Sequence, residues 1–176
     1  MPGWTGDPLT GFIARAEASI AQPHRIASFA DAPAKIADIL RLTNAAPELH
    51  VPPESPLVHL PWHAAPAVTV SAAAPTGEQS ALSAADFGIA ETGTLVVFSG
   101  PNSRSSWHFR PGREFVLIER SRILPRLEDV IAQIEKLPGI PATINLVTGP
   151  SRTADIEQTI ELGAHGPREI HILITG

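Results

Sequence analysis

The sequence predicts an α/β fold with a mostly parallel sheet and one antiparallel hairpin. Three observations predict it. Short apolar strand-like runs alternate with segments whose apolar residues recur at helical spacing. The hinge Glu91-Thr92-Gly93 joins two apolar runs directly, with the size and glycine content of a hairpin or bulge. An apolar fraction of 43%, with aromatics at only 5% and no Tyr, supplies a core of Ala, Ile, Leu and Val. At 176 residues the chain suits one domain.

In chain order, Asp7-Pro8 offers a cap and a proline at the first helical position. Leu9, Phe12, Ile13, Ala16 and Ile20 follow at helical spacing, and the helix stops near Gln22-Pro23. His24–Phe29 reads as a short strand, and Asp31-Ala-Pro opens a second helix through Ile36, Ile39, Leu40 and Leu42. Prolines 47, 52, 53, 56 and 61 punctuate the next stretch. It reads as a strand at Leu49–Val51, then a loop or single helical turn around Pro56–Trp62. A strand at Ala67–Ser71 and a loop at Ala72–Gln79 follow.

The text becomes more regular from Ser83. The runs 87–90 and 94–98 flank the Glu91 hinge, and Gly100–Gly112 is a polar loop holding Asn102, Ser103, Arg104, His108 and Arg110. Continuous apolar content makes Glu114–Ile118 a buried strand. Leu127, Val130, Ile131, Ile134 and Leu137 define a helix over 125–137. Ala142–Val147 is a strand that feeds a turn of small residues, and Ser151–Gln158 is read as a helix or helical turn. Glu169–Thr175 is the last strand.

Composition excludes several function classes. A net charge of −5 and a pI near 5.8 argue against nucleic-acid binding, which needs a basic face. No window approaches the roughly 18 apolar residues of a membrane span, and Met1-Pro-Gly-Trp-Thr-Gly-Asp7 is not a secretory leader. The chain therefore reads as cytoplasmic. Cysteine is absent, which excludes a thiolate nucleophile and any Cys-ligated zinc or iron–sulfur cluster in this chain. No metal site is expected. The P-loop and dinucleotide glycine patterns are missing too, so neither a nucleoside triphosphate nor NAD is indicated.

Two stretches carry candidate chemistry. The first is the hinge, where Glu91 is read as a nucleophile, general base or ligand anchor, with Thr92, Gly93 and Thr94 beside it; the alternative is a charge at a hairpin tip. The second is Asn145–Glu157, an apolar strand entering a turn and a helix start. There Gly149, Ser151, Arg152, Thr153 and Asp155 would seat an anion, because the first turn of a helix presents unpaired N–H groups and a positive dipole end. Asp155 is also a natural cap, and Arg152 a natural surface ion pair. In α/β sheets ligands gather beyond the carboxyl ends of strands, where this stretch is expected. His165, in Gly163-Ala-His-Gly-Pro, is placed to reach a ligand, whereas His171 alternates with apolar residues and reads as structural.

The wording of Ala84-Ala-Asp-Phe-Gly-Ile-Ala-Glu-Thr-Gly-Thr-Leu-Val, Ser121-Arg-Ile-Leu-Pro, Thr148-Gly-Pro-Ser-Arg-Thr-Ala-Asp-Ile-Glu and Leu162-Gly-Ala-His-Gly-Pro-Arg-Glu-Ile-His resembles the LUD domain family. The resemblance covers residues 81–176 in order. Residues 1–80 look divergent, shortened and proline-rich, so 1–176 reads as a single LUD domain. The resemblance implies a Rossmann-like fold of the NagB/RpiA/CoA transferase type. It implies a part in oxidising L-lactate to pyruvate, as the cluster-free member beside two iron–sulfur partner subunits. A small carboxylate or phosphate ligand would be held by the residues above, with Glu91 and His165 as catalytic candidates. The alternatives are an enzyme of the CoA-transferase or formyltetrahydrofolate cyclo-ligase kind, and a small-molecule-binding regulatory module.

Overall fold

A computed structural model describes residues 5–100, 106–139, 141–154, 160–162 and 166–176. Helix α1 (Pro8–Ala18) begins as its sequence requires: the Asp7 carboxylate accepts from the Thr10 N–H, and Pro8 occupies the first turn. Strand β1 (Gln22–Ile26) follows, then α2 (Ala32–Leu42), β2 (Glu48–His50), β3 (Thr69–Ser71) and β4 (Ser80–Ala84). The proline-rich stretch between β2 and β3 forms two 3-10 turns, Pro56–His59 and Trp62–Ala64. Next come β5 (Phe87–Ile89), β6 (Thr94–Ser99), α3 (Ser106–Phe109), β7 (Arg113–Glu119), β8 (Ile123–Leu124) and α4 (Leu127–Ile134). Strands β9 (Thr143–Val147), β10 (Arg152–Ala154), β11 (Ile160–Leu162) and β12 (Glu169–Thr175) complete the described chain.

Six strands form a wholly parallel sheet in the order β1-β12-β7-β4-β2-β3. A second, mixed sheet runs β8-β5-β6-β9, and β10 and β11 form a separate antiparallel pair. The mixed α/β class with a mostly parallel main sheet is as the alternating pattern predicts, and β5–β6 is the expected hairpin. The second sheet was not legible as a separate layer.

Period-two alternation assigns the two faces of the parallel sheet. Phe115, Leu117, Leu82, Leu49 and Leu173 meet Ile36, Ile39 and Leu40 of α2. Val116, Ile118, Ile170, Ile172 and Ile174 point the other way, against Leu9, Phe12 and Ala16 of α1 and Ala90, Leu95 and Ile123 of the second sheet. Val130 of α4 closes a smaller cluster with Phe87, Ile89 and Val96.

His171 is structural, as its alternation implied. Its ring stacks on Phe115 at 5.0 Å between centroids, and its Nδ1 lies 3.1 Å from His24 Nε2. Burial, then the neighbouring His24 charge, push its pKa from 6.5 down to about 4, against the pull of Glu169. Burial, then Lys35, lower His24 as well. A histidine pKa depressed by folding means that the unfolded chain takes up the proton first as pH falls. The associated stability is therefore complete above about pH 6.5 and is lost toward about pH 4. We expect thermal melting temperatures to drop through that window, and His171→Phe, which keeps the stack on Phe115, to flatten the drop. An equal acid sensitivity in the variant would contradict this.

Candidate functional site

The two stretches singled out in the sequence do meet in space. Thr94 Oγ1 lies 2.7 Å from Thr92 Oγ1 and 2.7 Å from Thr148 Oγ1, a chain of hydroxyls joining the hinge to the turn after β9. Both glycines adopt positive φ, Gly93 at 67° and Gly149 at 71°. Both press on the last turn of α1. A Cβ at Gly93 would fall 2.4 Å from the Ala16 nitrogen, and one at Gly149 would fall 2.1 Å from the Ser19 carbonyl oxygen. These glycines let two turns lie flat against a helix end.

That contact corrects the expected position. Helix α1 ends at Ala18 and β1 starts at Gln22, so the last turn of α1 stands at the amino edge of the parallel sheet. Ser151 N–H donates to the Pro167 carbonyl, just before β12 begins, and so lies at the same edge. The turn sits there because β9 belongs to the second sheet, pairing antiparallel with β6, and its carboxyl end points away from those of the parallel strands.

The expected helix start is corrected as well. Arg152 and Thr153 lie in β10, whose backbone pairs with β11 through Arg152↔Leu162, Thr153↔Glu161 and Ala154↔Ile160. A cross-strand partner for these groups replaces the first turn of a helix, so no helix dipole points at this turn from 152–154. Asp155 and His165 fall outside the described residues, as do Asn102, Ser103 and Arg104. Glu91 is exposed, and its Oε1 accepts from the Leu127 N–H at 3.0 Å, at the start of α4. It thereby serves one of the donors that a helix start leaves unpaired.

A polar cluster that the sequence did not single out sits between β4, β7 and α3. The Glu114 carboxylate is 1% exposed, yet carries two partners on one oxygen. Ser83 Oγ donates to Oε1 at 2.6 Å, and His108 Nδ1 stands 2.5 Å from the same atom. Parallel pairing of Ala81 with Glu114 builds this cluster: Ser83, two residues beyond Ala81, projects on the same face. Helix α3 then lays Trp107 and His108, both buried, over that face. A carboxylate fixes its histidine partner as the Nδ1–H tautomer and makes Nε2 the basic nitrogen. Ser83 bonds the carboxylate rather than the imidazole, so the trio is a positioned His–Glu pair and not a nucleophile triad.

The cluster borders a cleft at the carboxyl ends of β2 and β4. One cavity of about 360 Å³ is lined by Ser55, Ser83, Asp86, Ser99 and His108, with Pro52, Phe98 and Trp107 among its apolar walls. A second, of about 350 Å³, shares Ala84, Asp86 and Phe98 with it and adds Arg122. A third, of about 750 Å³, adjoins the second through Phe29 and Glu119 and runs over the ends of β1, β7 and β12. Asp86 stands on the wall between the first two. Its Oδ2 accepts from the Phe98 N–H at 2.7 Å. Burial raises its pKa above the ordinary carboxylate value, opposed by that N–H and by the charges of Arg122 and His108. The carboxyl edge of the parallel sheet is where α/β folds hold ligands, and a perturbed carboxylate in a cleft there marks a candidate site.

His59 and His63 stand four apart, but Pro61 separates them into different 3-10 turns rather than one helix face. Among the described residues no three His, Asp or Glu side chains gather as a ligand set.

These features define an α/β fold with a cleft at the carboxyl edge of its parallel sheet. The chain belongs to the LUD domain family, whose model matches residues 78–175. It is 41% identical over 95 residues to lactate utilization protein C of Geobacillus sp. (strain WCH70), covering 51% of this chain and 39% of that one. It is 39% identical over 100 residues to an uncharacterised protein of Neisseria meningitidis serogroup B, covering 56% and 42%. The chain thus spans about two fifths of the length of the curated relatives it matches. A crystal structure of a DUF162 family protein from Deinococcus radiodurans shares the fold, with a TM-score of 0.69 over 99% of this chain and all of that one, at 21% identity.

Proposed function

We propose that this chain serves lactate utilisation as the cluster-free member of an L-lactate-oxidising system, working beside two iron–sulfur subunits and binding a small carboxylate. The observation that carries the reading is the match to proteins named lactate utilization protein C. Ser83, Asp86, His108, Glu114 and Arg122 all fall inside the family-matched residues. The absence of cysteine fits a division of labour in which other chains carry the redox centres. Co-purification of the chain with its genomic neighbours, and lactate-oxidation assays with and without it, test the reading. Association and a chain-dependent rate support it; no association and an unchanged rate reject it.

The transferase alternative places an acyl group on Glu91. The Glu91 carboxylate already accepts the Leu127 N–H, which favours a role at the start of α4. We expect Glu91→Ala to cost about 1 kcal/mol of stability, as removal of a helix cap does, and to leave chain-dependent lactate oxidation in place. Lost turnover, with an acyl adduct trapped on Glu91 in the native chain, would favour the transferase instead. A nucleotide-dependent ligase would need a phosphate-gripping lysine. The two lysines, Lys35 and Lys136, line neither the first nor the second cavity of the cleft.

A further inference from the structure

Among the described residues the two larger sheets end in four edge strands, and three of these are guarded. An edge strand presents unpaired N–H and C=O groups that pair with any strand brought alongside. Proteins block such pairing with short strands, proline or charge. Edge strand β1 carries Pro23 and Arg25. Edge strand β3 has three residues, and β8 has two, set between Arg122 and Pro125. Strand β9, Thr143-Ile-Asn-Leu-Val147, is the exception. It is five residues long and pairs with β6 alone among the described strands. It contains no proline and no charge, and no Asp, Glu, Lys or Arg occurs from 137 to 151.

The side chains of β9 are as open as its backbone edge. Its inner face carries Val147, packed against the α1 cluster, and Asn145, whose Nδ2 donates to the Val97 carbonyl at 3.3 Å. Its outer face carries Ile144 and Leu146, opposite Phe98 and Val96 of β6. On that face Val130 of α4 packs with Phe87, Ile89 and Val96. The cover ends before β9, where Ile144 is 42% and Leu146 54% exposed. An apolar sheet face therefore runs out to an unguarded edge.

We propose that β9 is a self-pairing edge, at which two copies of this chain join antiparallel about a two-fold axis through Asn145. In that register Ile144 of each copy lies opposite Leu146 of the other, and Thr143 lies opposite Val147. The strand is its own complement, as a two-fold interface requires. Antiparallel addition continues the alternation of β5, β6 and β9, and two four-stranded sheets become one of eight strands. Charge selects a second copy as the occupant. A chain of net charge −5 repels its copy wherever charged faces meet, whereas the stretch 137–151 meets its copy without like-charge contact. A basic partner drawn to this acidic chain would find no carboxylate on β9 to pair with. One strand edge is small beside the standard interface of about 1,600 Å², so the dimer is weak, with micromolar or higher dissociation constants.

Sedimentation equilibrium of the full chain, up to about 0.5 mM, tests the proposal. The 18.7 kDa chain should double in mass as concentration rises. Leu146→Lys and Ile144→Glu should each weaken the dimer about tenfold or more, by setting a charge against an apolar neighbour. Both side chains are exposed, so both variants retain the fold, which a thermal melt verifies. An equimolar mixture of the two variants reads the register. In the mixed pair the new lysine faces the new glutamate, while Ile144 of the first chain faces Leu146 of the second. The mixture should associate more tightly than either variant alone. A monomer throughout the range overturns the proposal, as does a dimer that Leu146→Lys leaves unchanged, or a mixture no tighter than its components.

Discussion

Glu114→Ala should lower the unfolding free energy by about 2–4 kcal/mol, since each buried donor left without its acceptor costs about 1–3 kcal/mol. The substitution leaves the Ser83 hydroxyl and the His108 ring N–H, both on buried residues, without their shared acceptor. Domains of this size are stable by only about 5–15 kcal/mol, so the loss is a large fraction of the whole. Urea denaturation reads it directly as a lower midpoint at unchanged slope. Glu114→Gln keeps the shape and one acceptor oxygen and should lose less. It should also release the tautomer lock, visible as a change in the His108 nitrogen shifts even where the fold is intact. A Glu114→Ala midpoint equal to that of the native chain would show that the cluster is not the buried pair described above.

The second large effect lies at the opposite edge of the sheet. Gly149→Ala should destabilise the domain by about 2–5 kcal/mol, from two costs that add. A side chain at positive φ costs roughly 1–2 kcal/mol. The new Cβ must also push the end of α1 away, a form of overpacking that typically costs about 1–3 kcal/mol. The obstacle is backbone, the Ser19 carbonyl oxygen at 2.1 Å, so no rotamer change relieves it. Gly93→Ala should behave similarly against the Ala16 nitrogen at 2.4 Å. Gly139 is the control: a Cβ there meets nothing within 4 Å, and Gly139→Ala should stay within about 0.5 kcal/mol of the native chain. Equal midpoints for Gly149→Ala and Gly139→Ala would mean that the turn does not rest on α1.

Elements whose burial is written as periodicity were legible from sequence. Helices α1, α2 and α4 follow their apolar spacing and their prolines, and β7 and β12 are continuous apolar runs because both their faces are covered. Strand β4 was missed for a physical reason. Its residues, Ser80-Ala-Leu-Ser-Ala84, are small and half polar, so no hydrophobic pattern marks them. Yet four of the five are buried, since Ser83 meets a carboxylate rather than a core. Strand β8 has two residues and β10 three, too short for any period to show.

The candidate site followed the same division. Glu91 and Gly149 stood out because a charge and a glycine interrupt apolar text, and interruption is what a sequence displays. Ser83, Asp86, His108 and Glu114 each looked ordinary: a serine in a small-residue run, an aspartate before a hairpin, a loop histidine and the first residue of an apolar strand. By itself the sequence determined the α/β class, the hairpin, the lack of any cysteine ligand, and the family whose model matches residues 78–175. Only the tertiary structure decided which edge each turn occupies. Parallel pairing of β4 with β7 sets Ser83 beside Glu114, 31 residues apart in the chain, while antiparallel pairing of β9 with β6 carries the Gly149 turn to the amino edge. Strand order and direction depend on contacts between distant segments, and local spacing carries no record of them.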